Sequence, residues 1–179
     1  MSPEKHPAGA NIQYLEQGME LIRRLDDEMY ATCTENPYRG GVGAQYRHCL
    51  DFYDCFLRGL PSEKIDYSSR ERDGLVETDR GHALQKTEAI CEALRGLRAD
   101  RLGQTIEVKA EKTSPGAPEW TASSAARELQ FLISHTIHHY ALIAVLLKMQ
   151  GYEVAREFPD FGVAPSTLSH WKETGSFAS

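Results

Sequence analysis

At 179 residues the chain is long enough for one domain with one sizeable core, and its 41% hydrophobic and 26% charged content is ordinary for a globular protein. Its 20 basic and 26 acidic residues give a formal charge of −6 and an isoelectric point near 5.6, a balance that argues against nucleic acid as a partner, since phosphate binding wants a basic face. The longest apolar run, Ala141 to Leu147, falls far short of the roughly 20 residues that cross a bilayer. Met1 to Ala10 has no apolar segment of the kind a signal peptide carries, so we expect a cytoplasmic protein without a membrane span.

The first ten residues, with Pro3 and Pro7, read as a flexible tail. Asn11 is the expected N-cap of a first amphipathic helix, because Ile12, Leu15, Met19, Ile22, Leu25 and Met29 recur at spacings of three and four. That helix should stop before Asn36-Pro37, with Arg39-Gly40-Gly41 as a turn. A second helix is expected from Val42 or Gly43 to Leu60, ended by Pro61, with His48 among its apolar positions. Asp51, nearly one turn further on, is a candidate to orient an imidazole or to act on a substrate; its alternative is an exposed surface position.

Ser68 and Ser69, followed by Glu71 and Asp73, resemble a helix start, and a third helix should run to about Leu97, with His82 as a surface or packing residue. From Thr105 to Glu111 the period changes to strict alternation, and Ser114-Pro115-Gly116-Ala117-Pro118 makes a turn, so a strand or small hairpin is expected there. Thr121 to Ser124 supplies N-cap residues for the last long helix. Gly151 should end that helix, and residues 151–179 form a C-terminal extension with a short helix from about Ser166 to Lys172. Cys33, Cys49, Cys55 and Cys91 show no CxxC spacing and fall inside helical patterns, where reduced, buried thiols are the expectation; Cys55 lies two turns after His48 and should share its face.

The last long helix holds the chemistry. From Ser124 to Met149 there is no Gly or Pro, and His135, His138 and His139 fall within five residues of an apolar run. Residues four apart stack on one helix face, so His135 and His139 can aim at a common point; His138 competes with His139 for that role. A single histidine on an apolar face is ordinarily a hydrogen-bonded core group. Three together need a shared partner, which a cation supplies. Catalytic zinc sites use three protein ligands and an open position, and His48 is the candidate third ligand. The helix is apolar nearly all round: Phe131, Leu132, His135, His139, Leu142 and Leu146 form one face and Ile133, Ile137, Ala144 and Leu147 another, a pattern of a central helix or of one that also serves a dimer. No GxGxxG, Walker loop, GxSxG, HExxH or internal repeat is present.

These features describe an all-α domain, an antiparallel four-helix bundle with a small strand or hairpin insertion before the last long helix and a site built inside from facing helices. Gly43-Ala44-Gln45-Tyr46-Arg47-His48 followed roughly ninety residues later by His135-Thr136-Ile137-His138-His139 resembles the DinB-like family, as do Asp66-Tyr67 with Arg70-Glu71-Arg72-Asp73, Ala126-Arg127-Glu128-Leu129 and Phe161-Gly162-Val163-Ala164-Pro165-Ser166-Thr167-Leu168. The resemblance covers about residues 10 to 170. It implies a bundle that is frequently dimeric, with nickel or zinc held by His48, His135 and His139, and with small-molecule chemistry that in better-characterised relatives uses a low-molecular-weight thiol such as bacillithiol, mycothiol or glutathione. Tyr140 departs from the family pattern, in which Arg followed by Gly-Gln is frequent, so the pocket beside the metal should differ.

A divalent ion on three neutral imidazoles lowers the pKa of bound water or thiol towards neutrality. The expected function is therefore metal-dependent transfer or hydrolysis on a small molecule, with Asp51, His138, Tyr140 and Glu128 as pocket candidates and a homodimer as the assembly. The alternatives are a bundle that binds metal or ligand without catalysis, and a scaffold whose histidines are only core polar groups.

Overall fold

In the computed structural model, residues 6–33, 40–109 and 119–175 are described. Met1 to Lys5, the stop at Asn36-Pro37, Arg39 of the expected turn and the turn at Ser114 to Pro118 lie outside them. The fold is mostly helical with one small sheet. Helix α1 spans Gly9–Arg24. Its start is set by Ala8, which is fully buried, so the tail expected to reach Ala10 ends sooner. Asn11 is not the cap. It lies inside the helix and is buried, its Nδ2 donating to the Leu129 carbonyl at 2.9 Å and the Tyr53 hydroxyl at 3.2 Å; two tertiary partners for a buried amide outweigh one local capping bond.

The apolar period of the first helix continues to Met29, but the helix itself stops at Arg24, where Leu25 is extended. Asp26 then caps a separate helix α2, Asp27–Ala31, accepting from the Met29 amide. Arg80 closes the break by donating to the carbonyls of Ile22, which also accepts from the Leu25 amide, and Leu25 at the end of α1, and to Asp27. Helix α3 spans Val42–Gly59 and runs into a 3-10 turn, Leu60–Ser62, that carries Pro61. The expected third helix is two. Asp66 captures the amide and hydroxyl of Ser68 in a local turn instead of letting a helix start there, and Asp73 and Asp79 cap the short α4, Gly74–Thr78, and the long α5, Arg80–Arg95.

Strand β2, Thr105–Lys109, occupies the alternating segment and pairs antiparallel with β3, Thr121–Ser124. On its other edge β2 pairs in parallel with β1, Lys64–Asp66, a strand the sequence reading did not anticipate. Ser124 ends β3 and caps α6, Ala125–Met149, by accepting from the Arg127 amide. Helix α7, Pro165–Thr174, closes the described chain.

Helix α3 packs on α5 and α6, and α1 packs on α5 and α6. The core between them holds Leu15, Ile22, Tyr46, Leu50, Tyr53, Phe56, Leu94 and Leu132. The buried face of α6 is Leu129, Leu132, Thr136, Tyr140, Ile143 and Leu147, so the expected face through His135, His139 and Leu142 is its half-buried flank. Val145 and Met149 are exposed, and Ile133 and Ile137 half-buried; the helix is buried on one side. By length and composition α6 is also the described helix that could cross a membrane, an apolar content that its packing on α1 and α3 uses. Cys49, Cys55 and Cys91 are buried free thiols, whereas Cys33 is exposed and follows the end of α2.

Candidate metal centre

Because α3 and α6 lie side by side, one histidine from the first and two from the second converge. His48 Nε2 and His135 Nε2 are 3.2 Å apart. The His48 ring centroid is 4.6 Å from that of His139, and His135 and His139 are 4.5 Å apart. One ligand nitrogen from each lies within 4.8 Å of the others, and all three residues are half-buried. Tetrahedral coordination with bonds of 2.0–2.1 Å puts two donors about 3.3 Å apart. The His48 and His135 nitrogens already stand at that spacing, and the donor set suits a borderline divalent ion.

The surroundings prepare the imidazoles as ligands. His139 Nδ1 lies 2.7 Å from Gln45 Oε1. Since that oxygen only accepts, Nδ1 carries the proton and Nε2 keeps its lone pair, an arrangement that fixes tautomer and ring orientation. Gln45 is three residues before His48 on α3, so the helix repeat brings both to α6. Burial, joined by the charges of neighbouring imidazoles, pushes His135 down to about 3 and His139 down to about 4. Both are neutral at physiological pH, the form that binds metal. Phe52, four residues after His48, lays its ring 4.1 Å from that of His135, and Phe131 stands 5.7 Å from it on the other side.

The remaining sequence candidates divide. His138 is exposed and meets His139 edge-on at 5.1 Å; the three clustered histidines do not include it. Asp51 is buried rather than exposed, and its carboxylate accepts from Arg47 Nη1 at 2.7 Å; burial raises its pKa and the guanidinium opposes that rise. Glu128 is buried two turns before His135 and accepts from Ser123 at 2.6 Å, Tyr67 at 3.0 Å and Arg127 at 3.2 Å. Tyr140 does not line the site. One residue past His139, it turns about 100° around the helix into the core, where it donates to the Tyr14 carbonyl and stacks on Phe161. Cys55 is buried; burial raises its thiol pKa and favours the neutral form, while Arg58, which donates to its sulfur, opposes that rise.

The model of the DinB family matches residues 10–157. That span covers α1 to α6 and all three histidines. The chain belongs to the DinB family. This DinB chain is also 30% identical over 119 residues to a protein of Rhizopus delemar named FK506-binding protein 5, a match that takes in 64% of the chain but 30% of that protein. Membership of the DinB family and the three-histidine cluster together are compatible with a divalent metal. Sequence reasoning missed Gln45 and Phe52, although their spacings of three before and four after His48 were visible.

Proposed function

We propose that this protein is a divalent-metal-dependent enzyme in which His48, His135 and His139 hold the ion, nickel or zinc by donor type, inside an antiparallel bundle of α1, α3, α5 and α6. The observation that carries the reading is the convergence of three imidazoles from two helices on one point, two of them held neutral by burial and one with its tautomer fixed by Gln45. A divalent ion so held supplies Lewis acidity to water or a thiol. The protein's part is to present three nitrogens, to keep His135 and His139 unprotonated by burial, and to limit water with the rings of Phe52 and Phe131. The reaction class is transfer or hydrolysis on a small molecule, with a low-molecular-weight thiol as co-substrate.

The engagement of both buried carboxylates, Asp51 by Arg47 and Glu128 by Arg127, favours a second reading: a bundle that binds metal without turnover. Replacing His135 by Ala separates the two. An enzyme loses activity with modest loss of stability, whereas a structural site loses stability along with its metal. The half-buried and exposed apolar residues Ile133, Ile137, Val145 and Met149 on the outer side of α6 support a homodimer through that face.

The primary test is metal content by mass spectrometry on untagged protein purified without chelators, beside His48→Ala and His139→Ala. About one divalent ion per chain, lost in both variants, is expected. Absence of metal in the parent protein, persisting after nickel and zinc are added back, overturns the reading.

A further inference from the structure

Away from the three histidines, one cleft brings together a buried acceptor that lacks a donor and a carboxylate that lacks a cation. Ala10, Gln13, Tyr14 and Gln17 recur at spacings of three and four and so share one side of α1. With Asp160, from the segment leading into α7, and with Pro165 and Leu168 of α7 itself, they line a cleft of about 340 Å³, which is room for a small organic molecule. Neither a clustered histidine nor any lysine or arginine lines it.

Gln17 Oε1 is buried and accepts no hydrogen bond among the described residues. Buried acceptors are nearly always satisfied, so such an atom calls for an explanation. Gln104 Oε1 is in the same condition, but its amide already donates to Glu63; Gln17 lines a cleft. Asp160 accepts from the Val163 amide through its backbone carbonyl, while its carboxylate forms no ion pair among the described residues. Burial, joined by the charge of Asp160, raises the pKa of Tyr14. That coupling sets the carboxylate near the phenol and keeps the hydroxyl protonated at neutral pH. The polar side of the cleft therefore offers a carboxylate, an amide oxygen and a hydroxyl oxygen with no cation to balance them, and Ala10, Pro165 and Leu168 supply an apolar side.

We propose that this cleft is a second binding site and that its ligand is a small primary ammonium, its charge on the Asp160 carboxylate, one N–H donated to Gln17 Oε1 and its apolar body against Pro165 and Leu168. An ammonium group carries three donors and no acceptor, the complement of three oxygens. A bare metal ion matches the cleft less well, since one carboxylate is a sparse ligand set for a hard cation and the apolar side would stay empty. The proposal stands independently of the metal-dependent reading, because no residue is shared between the two sites.

The test uses the full-length protein with butylammonium and its uncharged counterpart butanol as probes. Binding is followed by NMR through the backbone amides of Ala10 and Leu168, and metal content is measured on every sample so that an amine bound to metal is recognised. Butylammonium is expected to bind about tenfold more tightly than butanol. Asp160→Asn, a substitution at an exposed position, should abolish that preference at unchanged metal content. Gln17→Met keeps the length of the side chain without its acceptor and should weaken butylammonium several-fold while leaving butanol unchanged. Tetramethylammonium, which has the charge but no N–H, should bind less tightly than butylammonium. Equal binding of butylammonium and butanol, binding of neither, a preference that survives Asp160→Asn, or full butylammonium affinity in Gln17→Met overturns the proposal, as does tetramethylammonium binding as tightly as butylammonium.

Discussion

Replacing Gln45 by Leu removes the acceptor for His139 Nδ1 while leaving all three imidazoles in place. In the metal-free protein the cost is small, because the ring can move its proton to Nε2 and donate it to a lone pair of the facing imidazoles, and one neutral hydrogen bond contributes about 0.5–1.5 kcal/mol. Metal binding does not allow that escape, since it needs the Nε2 lone pair. The tautomer must be restored against an apolar leucine with the Nδ1 hydrogen unpartnered. Loss of such an outer hydrogen bond weakens a metal site about 10- to 100-fold, equivalent to about 1.4–2.7 kcal/mol. A competition titration of zinc against a chromophoric chelator, run at fixed pH on the parent, Gln45→Leu and Gln45→Glu, reads this directly. Gln45→Leu should weaken binding within that range with a thermal midpoint for the apo-protein within a few degrees of the parent, and Gln45→Glu, which still accepts, should bind at least as tightly as the parent. Equal zinc affinity in Gln45→Leu and the parent would show that Gln45 does not position the ligand.

Other consequences can be checked on the metal-free chain. The unfolded chain binds protons at His135 and His139 near 6.5, whereas burial delays this to about 3 and about 4 in the folded state. The stability associated with these groups is thus complete above pH 6.5 and declines as pH falls towards 4; the thermal midpoint should drop over that window, less steeply in His135→Leu, and identical slopes would contradict the assignment. Asn11→Ala removes both bonds of a buried amide, to the Leu129 carbonyl and the Tyr53 hydroxyl, and should destabilise by about 1–3 kcal/mol in urea unfolding at constant m-value; a change below about 0.5 kcal/mol would refute the role given to that amide. A Cβ at Gly18 would collide with the Tyr140 hydroxyl and press on the Tyr46 ring, so Gly18→Ala should cost about 1–3 kcal/mol despite its better helix propensity. A stabilised Gly18→Ala protein would mean that α1 and α6 stand further apart than described.

What was legible in the sequence follows from how strongly each signal is encoded. Helices α3 and α6 are long, uninterrupted and ended by Pro61 and Gly151, and histidine spacing on them is fixed by the helix repeat, so their convergence could be anticipated. Strand β2 showed because alternation over Thr105–Lys109 is long enough to see. Strand β1 has three residues, too few to reveal a period, and its pairing with β2 joins segments about forty residues apart. The break between α1 and α2 was hidden because the apolar period runs unbroken through Leu25, while the Asp26 cap and the Arg80 bonds that end α1 are made locally and at long range respectively. The phase of α6 was the main miss: apolar residues on most sides leave the rotation of the helix undetermined, which is why Tyr140 was placed with the histidines and not in the core behind them.

The position of Tyr140 makes the far side of α6 part of the aim of the near side. Its ring is sandwiched, 4.5 Å and 8° from parallel with Phe161 and 6.4 Å and 14° from parallel with Tyr46, and the backbone of Gly162, at φ +71°, rests against Ala141 so closely that a side chain there would strike it. Phe161 and Gly162 lie past residue 157, where the match to the family model ends. The segment thus grips the helix one residue after His139 and sets its roll like a setscrew on a shaft. Sequence drift in that grip can retune the angle between His139 and His48 without altering a residue that touches either.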